Sequence, residues 1–324
     1  MLFFNTTIDG LQMGLCFAVL ALGVYISYSI LDFPDLSVDG TFPLGGVICS
    51  IVLLKLHMDP VLALAVSFVA GALAGTVTGI LHVKFRISKL LAGIITMTSL
   101  LSVNLALTKL LTKNGHTTTI FSYRSEKLTG LFNGELVSSF DRSSRDYVII
   151  ALLLLIVIVI KILIDLFLKT KTGYMLKATG DNEQLVTALG KDTGIYKILG
   201  LAIANGFSAM SGAIYSQLFS SYDNNSGSGK VVMALASVII GVAVFSNIRF
   251  LKGSTSVIFG AIIYSLCLNY LVLIDSDGLY LKLLNAVLFA LILIFNDKVS
   301  HLVNGRKKIK KYEINPETAT KKEG

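Results

Sequence analysis

Charge is scarce in this chain. Only 15% of its 324 residues are Asp, Glu, Lys or Arg, against about a quarter in a soluble globular domain, and that shortage excludes an ordinary water-facing surface. No Lys or Arg precedes Lys55. The first apolar run, Ile8 to Ile30, therefore lacks the basic start of a signal peptide; it also lacks a small-residue cleavage site, and is expected to be a retained span. The three cysteines, Cys16, Cys49 and Cys267, are odd in number, form no C-x-x-C pair and lie inside apolar runs. They read as small core hydrophobes and exclude a disulfide framework. His57, His82, His116 and His301 are scattered without metal-ligand spacing. The stretch "NNSGSGK" fails as a phosphate loop, which needs Gly where Asn224 stands and Ser or Thr where Val231 stands. No catalytic residue, no metal site and no cofactor is expected.

What the chain has is apolar length. Hydrophobic residues make up 54% of it and its mean hydropathy is +0.75. Stretches such as Tyr147 to Leu168 exceed the roughly 18 residues at which a bilayer span is the better reading. The fold class is all-α, a polytopic membrane protein with about nine segments: Ile8–Ile30, Phe42–Leu56, Pro60–Leu81, Leu90–Leu111, Tyr147–Leu168, Tyr196–Phe219, Val231–Phe245, Ser254–Ile274 and Leu281–Phe295. The net charge of +8 gathers in "HVKFRISK", "NIRFLKG" and the tail "GRKKIKK". That is the positive-inside pattern rather than a nucleic-acid surface. It puts residues 1–298 in a transmembrane domain with the N-terminus outside, and residues 299–324 in a basic cytoplasmic tail that anchors to anionic lipid. Thr112 to Asp146, "SSYDNNSGSG" and "DSDG" are expected outside. Lys161 and Asp165, four apart, read as a structural ion pair.

Phe42–Leu56, Val231–Phe245 and Leu281–Phe295 supply about 15 residues each, where about 20 are needed to cross. The first two follow the polar stretches "DLSVDG" and "NNSGSG". Broken or half helices are expected there, with irregular backbone entering the membrane where protein or a cavity surrounds it. In "LDFPDLSVDGTFPLGG", Asp39 or Thr41 is expected to cap a helix and Pro43 to sit in its first turn. Asp32, Asp35 and Asp39 read either as caps and loop solubilisers or as acids on a transport pathway. Intramembrane amides extend the pathway candidates, Asp35, Asp39, Asn104, Asn205, Gln217 and Asn269, with Asn285 also inside a span; each alternatively bonds helix to helix. Small residues in Ala70–Gly79 and Gly206–Ala213 are expected to let helices approach closely.

Between the fifth and sixth segments lies "KTKTGYMLKATGDNEQLVTALGKDTGIYK". Asp181 is expected to cap a two-turn helix, Asn182–Leu189, with Gln184 completing a capping box and Gly190 at its end. Leu185, Val186 and Leu189 are expected on one face, resting on the spans or docking a partner.

The series "DLSVDGTFPLGG", "ATGDNEQLVTALGKDTGIYK", "LAIANGFSAMSGAIYSQ" and "ALASVIIGVAV" resembles, in order and spacing, the permeases of ABC importers for branched-chain amino acids and ribose. The form "DFPDLSVDGTFPLGG" is most similar to the permeases for tryptophan and other aromatic amino acids. The resemblance covers about Leu11 to Phe295. It implies that the segment about 180–190 is a coupling helix seated on a cytoplasmic ABC ATPase, with Gly180, Asp181, Asn182, Glu183, Leu185, Val186, Leu189 and Gly190 as coupling residues. It also implies an extracellular substrate-binding lipoprotein, a second permease subunit in a homodimer or a pseudo-symmetric heterodimer, and as solute an aromatic amino acid first, then branched-chain amino acids, sugars and nucleosides. Lys191, Asp192 and Thr193 ahead of Gly194, and "GVAVFSNIRFLKG" in place of a glycine-rich stretch, depart from the sugar permeases. The alternative is an ion-coupled secondary transporter, against which stands the expectation that mid-span positions hold amides and hydroxyls rather than carboxylates.

Overall fold

The computed structural model describes residues 2–111, 120–122, 130–132, 137, 139, 142–245, 251–273 and 283–294. The basic tail, Arg249, His116, His301 and most of the Thr112–Asp146 segment lie outside the described residues. The described residues are mostly helical: α1 (Leu2–Val24), running on through a π-helical turn (Tyr25–Ile30), α2 (Val38–Leu54), α3 (Pro60–Val83), α4 (Lys89–Thr108), α5 (Arg142–Phe167), α6 (Lys171–Asp181), α7 (Glu183–Ala188), α8 (Thr193–Phe219), α9 (Lys230–Phe245), α10 (Gly253–Val272) and α11 (Leu283–Ile294). Two three-residue strands, β1 (Ile120–Ser122) and β2 (Ser221–Asp223), pair antiparallel with Phe121 opposite Tyr222. Among the described residues seven helices are long and apolar enough to cross a membrane, and two more, α2 and α11, are apolar but shorter. Together they match the nine segments read from hydropathy.

Burial sorts these helices into centre and perimeter. The most apolar 18-residue window of the first span is 78% buried, whereas that of α5, the most hydrophobic span, is 28% buried. An apolar surface exposed at full span length suits lipid as its neighbour. α1 instead packs against α5, α8, α9 and α10. The other central helix is α8, and the two small-residue stripes meet on it. Any side chain at Gly71 or Gly75 of α3 would strike the backbone of Asn205 or Leu201, and one at Gly45 of α2 would strike Ala209. Backbone contact of this kind holds helices by dispersion where lipid removes the hydrophobic drive. Lys161 and Asp165 form the expected ion pair at 3.5 Å, joined by Lys252 at 3.2 Å and by the Ser254 hydroxyl, which donates to Asp165 at 2.6 Å. Cys16 and Cys49 are buried as expected, but Cys267 is exposed on the outer side of α10, because an apolar run in a bilayer need not face the core.

Both expected helix breaks are present. Residues 31–37 separate the first span from α2, and residues 220–229, partly wound as a 3-10 turn (Asn224–Gly227), separate α8 from α9. A side chain at Gly40 would meet Met97 and Leu100, near the middle of α4, so α2 begins well inside the bundle. Gly227 lies against the Asp39 backbone and the Pro43 ring. The two breaks therefore meet at mid-depth, start of helix to start of helix.

The start of α2 differs from expectation. The helix begins at Val38, not beside Thr41, because the Asp35 side chain accepts the Ser37 N–H at 2.9 Å and turns the chain into the helix earlier. Pro43 consequently sits in the second turn and leaves the Asp39 carbonyl without its intrahelical donor. Neither Asp39 nor Thr41 caps α2.

Candidate functional site

The three aspartates of the first break have three different surroundings. Asp32 is exposed, with a left-handed φ of 52°, and pairs with Lys89 at 3.4 Å. Asp35 is 4% exposed. Its Oδ1 accepts from the Ser37 N–H and lies 2.7 Å from the Ser37 hydroxyl, while its Oδ2 accepts from Asn205 Nδ2 at 2.7 Å. Asn205 Oδ1 in turn lies 2.9 Å from Thr41 Oγ1 and 3.0 Å from Ser37 Oγ, and Thr41 Oγ1 lies 3.0 Å from Ser208 Oγ. This closed network ties the first break to the middle of α8.

Asp39 works across the molecule. Its Oδ1 accepts from the Val231 N–H at 2.7 Å and its Oδ2 from the Gly229 N–H at 3.0 Å. It thus caps α9, a helix that starts 191 positions later, and satisfies donors that would otherwise be orphaned inside the membrane. The expectation that mid-span positions hold no carboxylate is corrected by Asp39: it stands at mid-depth, and its two oxygens are engaged by backbone N–H groups.

Of the amides, Asn104 donates to the Gly40 carbonyl at 3.1 Å and bridges α4 to α2. Gln217 donates to the Pro60 carbonyl at 3.2 Å and accepts from the Leu131 N–H at 3.0 Å. Asn269 donates to the Ser265 carbonyl of its own helix at 3.0 Å and borders a cavity of about 380 Å³ that Asn285 and Lys230 also line. Among the six pathway candidates, Asn269 is the one bordering this space; the other five lie in helix contacts.

At the end of the bundle that carries Lys84, Arg86 and Lys89, α6 and α7 form a small platform. Thr170 caps α6 by accepting the Gly173 N–H at 3.2 Å, and Asp192 caps α8 by accepting the Gly194 N–H at 2.8 Å. The cap of α7 is Asn182, which accepts the Leu185 N–H at 3.0 Å. Asp181 was expected in that role, but α6 runs through it, with the Asn182 N–H donating to Ala178 O. The α7 helix is accordingly six residues, Gln184 is displaced from the capping-box position, and Gly190 closes the turn at φ 70° as expected. Glu183 accepts from Lys197 Nζ at 2.6 Å and from Thr193 Oγ1 at 3.0 Å, fastening α7 to α8. The Lys197 bond holds the Glu183 carboxyl below its usual range.

The apolar residues of α7 divide between two sides. Val186 is fully buried beneath the helix, while Leu185 and Leu189, one turn apart, are 56% and 64% exposed. Asp181, Glu183 and Gln184 are exposed beside them. Gly180 lies in backbone contact with Ile30, and Gly200 with the side chains of Leu31 and Leu176. The platform therefore rests on the chain where the first span ends and the first break begins.

Sequence reasoning missed Lys230. It was read only as part of a failed phosphate loop, yet a lysine directly ahead of the run Val231–Phe245 is the signal that places a cation within the bundle. Its Nζ stands 4.1 Å from the ring centroid of Phe17, 5.4 Å from Phe42 and 5.5 Å from Tyr215.

The model of the family described as branched-chain amino acid transport system / permease component matches residues 6–296. A tyrosine transport system permease protein of Clostridioides difficile is 40% identical over 86% of this chain and 88% of its own length. An uncharacterized protein of Rickettsia prowazekii is 32% identical over 88% of this chain and 96% of its own. An autoinducer 2 import system permease protein of Salmonella paratyphi B is 31% identical over a shorter stretch, 36% of this chain and 32% of its own. No solved structure gives a significant match. A match over nearly the whole length, on a helical bundle built to span a membrane, shows that this chain belongs to the branched-chain amino acid and ribose type of ABC transporter permeases, which are transport subunits and not enzymes.

Proposed function

We propose that the chain carries an amino acid, with aromatic ones first, inward across a bacterial cell membrane, and that a separate ATPase drives it. The solute reading rests on the 40% identity with a tyrosine transport permease. The remaining parts of the assembly are an extracellular binding lipoprotein that delivers the solute and a second copy of this chain across the pathway. By the positive-inside argument the platform faces the cytoplasm and the N-terminus lies outside.

The observation that carries the mechanism is the division of α7. A two-turn helix is too short to be stable alone, and this one is held from below by Val186 and Glu183 while Leu185 and Leu189 stand free. An ATPase seated on those leucines pushes on α6, whose Gly180 touches Ile30. The displacement enters the first break and, through Asp35 and Asn205, reaches α8. Docking and ATP binding each favour one of two packings of the helices, as a two-state transporter requires.

The test is uptake of labelled L-tyrosine by cells lacking the chain and complemented with variants. Leu185→Asp with Leu189→Asp, and separately charge reversal at Asp181 with Glu183, are expected to abolish uptake while the protein reaches the membrane in normal amount. Full uptake by the leucine double variant would remove α7 as the docking element.

A further inference from the structure

The cavity bordered by Asn269 lies in the half of the bundle away from the platform, between α1, α9, α10 and α11. Its volume of about 380 Å³ falls within the range of about 300–1,000 Å³ typical of small-molecule sites. Three polar features converge on it. Lys230 lies at its wall with its ammonium over Phe17, Phe42 and Tyr215, which also pack on one another at centroid separations of 5.6 to 6.1 Å. Ser265, 1% exposed, lines the cavity, and its Oγ has no hydrogen-bond partner among the described residues. Asn269 and Asn285 complete the polar wall.

The aromatic rings keep a cation in place without satisfying it. Cation–π attraction acts within about 6 Å of a ring centroid, but it accepts no conventional hydrogen bond, and an ammonium carries three donors. Among the described residues no acceptor bonds to Lys230 Nζ and no carboxylate comes within ion-pair distance. Asp39, the acid at the start of the neighbouring helix, has its oxygens engaged by Gly229 and Val231. A half-buried lysine whose ammonium has free donors and a buried hydroxyl with no partner among the described residues, both on the wall of one cavity, are complementary to an anion that brings several acceptors.

We propose that this cavity binds a carboxylate-bearing solute, with Lys230 holding the carboxylate and Ser265 and Asn269 bonding its polar groups. The proposal rests on the reading of the chain as an amino-acid permease and gives it a recognition point. Phe17, Phe42 and Tyr215 fix the ammonium from one side, and the solute meets it from the other. Because these residues come from α1, α2, α8 and α9, the site sits where the two breaks converge, and occupancy is coupled to the packing of the helices.

The experiment uses the full chain in nanodiscs of phosphatidylcholine, with thermal unfolding followed during titration by L-tyrosine, by 3-(4-hydroxyphenyl)propionate, which keeps the carboxylate without the amine, and by tyramine, which keeps the amine without the carboxylate. The first two are expected to raise the unfolding midpoint and tyramine to leave it unchanged. Lys230→Met is expected to weaken the response about 10- to 100-fold, the effect of losing a charge-assisted hydrogen bond. Lys230→Arg is expected to retain it, and Ser265→Ala to weaken it about fivefold. An equal response to tyramine, no response to either carboxylate, or an unaltered response in Lys230→Met would overturn the site. So would displacement of the carboxylates by added phosphatidylglycerol, which would assign the ammonium to a lipid headgroup. The selectivity among the three probes is read on the unaltered chain and does not depend on any variant folding. Failure of the transport reading appears separately, as L-tyrosine uptake that does not depend on the chain; carboxylate binding without such uptake keeps the site and removes its role.

Discussion

The two helix breaks meet at the same depth but are built differently. The first, residues 31–37, is closed by side chains: Asp35, Ser37, Thr41, Asn205 and Ser208 answer one another within 3.0 Å. The second, residues 220–229, is rich in glycine and serine, borrows its cap from Asp39 just after the other break, and leads into Lys230, whose ammonium finds no hydrogen-bond acceptor among the described residues and lies beside a cavity. A joint whose polar groups are all answered transmits displacement; one with polar groups left over has something to offer a ligand. On the proposed reading the first break transmits and the second recognises, although both look alike in the sequence as short polar interruptions.

Removing the cap that the two breaks share should have the largest effect. Asp39→Ala leaves the Gly229 and Val231 N–H groups without acceptors inside the bundle, and at about 1–3 kcal/mol for each buried unsatisfied donor a loss of about 2–6 kcal/mol is expected in detergent unfolding. Asp39→Asn, which keeps one acceptor, should lose less. A loss below about 0.5 kcal/mol for the alanine variant would mean that the breaks do not depend on each other.

The transmission role is sharpened by a double-mutant cycle on Asp35→Ala and Asn205→Ala. Groups in one buried network are expected to couple by about 1–2 kcal/mol. Additive effects would dissolve the network into separate contacts. The smallest expected effect concerns the platform. Since the Glu183 carboxyl is held below its usual range, its tie to Lys197 contributes above that range and is lost as pH falls through the lowered value. The amide protection factors of residues 183–188, each rate being referred to the intrinsic exchange rate at the same pH, should therefore be unchanged from neutral pH down to about pH 5 and fall only below the ordinary glutamate value of 4.5. A fall in protection near pH 6 would place the controlling group elsewhere.

Much of the fold was legible because a bilayer enforces length. Among the described residues nine apolar helices answer the nine apolar segments, and the helices at Val38–Leu54 and Lys230–Phe245 do follow the breaks read from the sequence. The small-residue stripes Ala70–Gly79 and Gly206–Ala213 announced close packing, though not that they would pack on each other. What stayed hidden was long-range pairing. Asp39 carries every local sign of a helix cap, and it is one, but the helix it caps lies far along the chain. The shift from Asp181 to Asn182 is of another kind: both residue types cap well, and only the continuation of α6 through Asp181 decides between them. The exposure of Leu185 and Leu189 against the burial of Val186 depends on what lies under the helix, which hydropathy does not report.

The central claim is that this chain supplies the passage and a separate ATPase, acting on α7, supplies the work. It is tested most directly by following chain-dependent L-tyrosine accumulation in cells whose proton and sodium gradients are collapsed while ATP is maintained, and then in cells depleted of ATP with the gradients imposed. Accumulation that persists in the first state and stops in the second is the predicted result. Accumulation that stops with the gradients and persists without ATP would contradict the account.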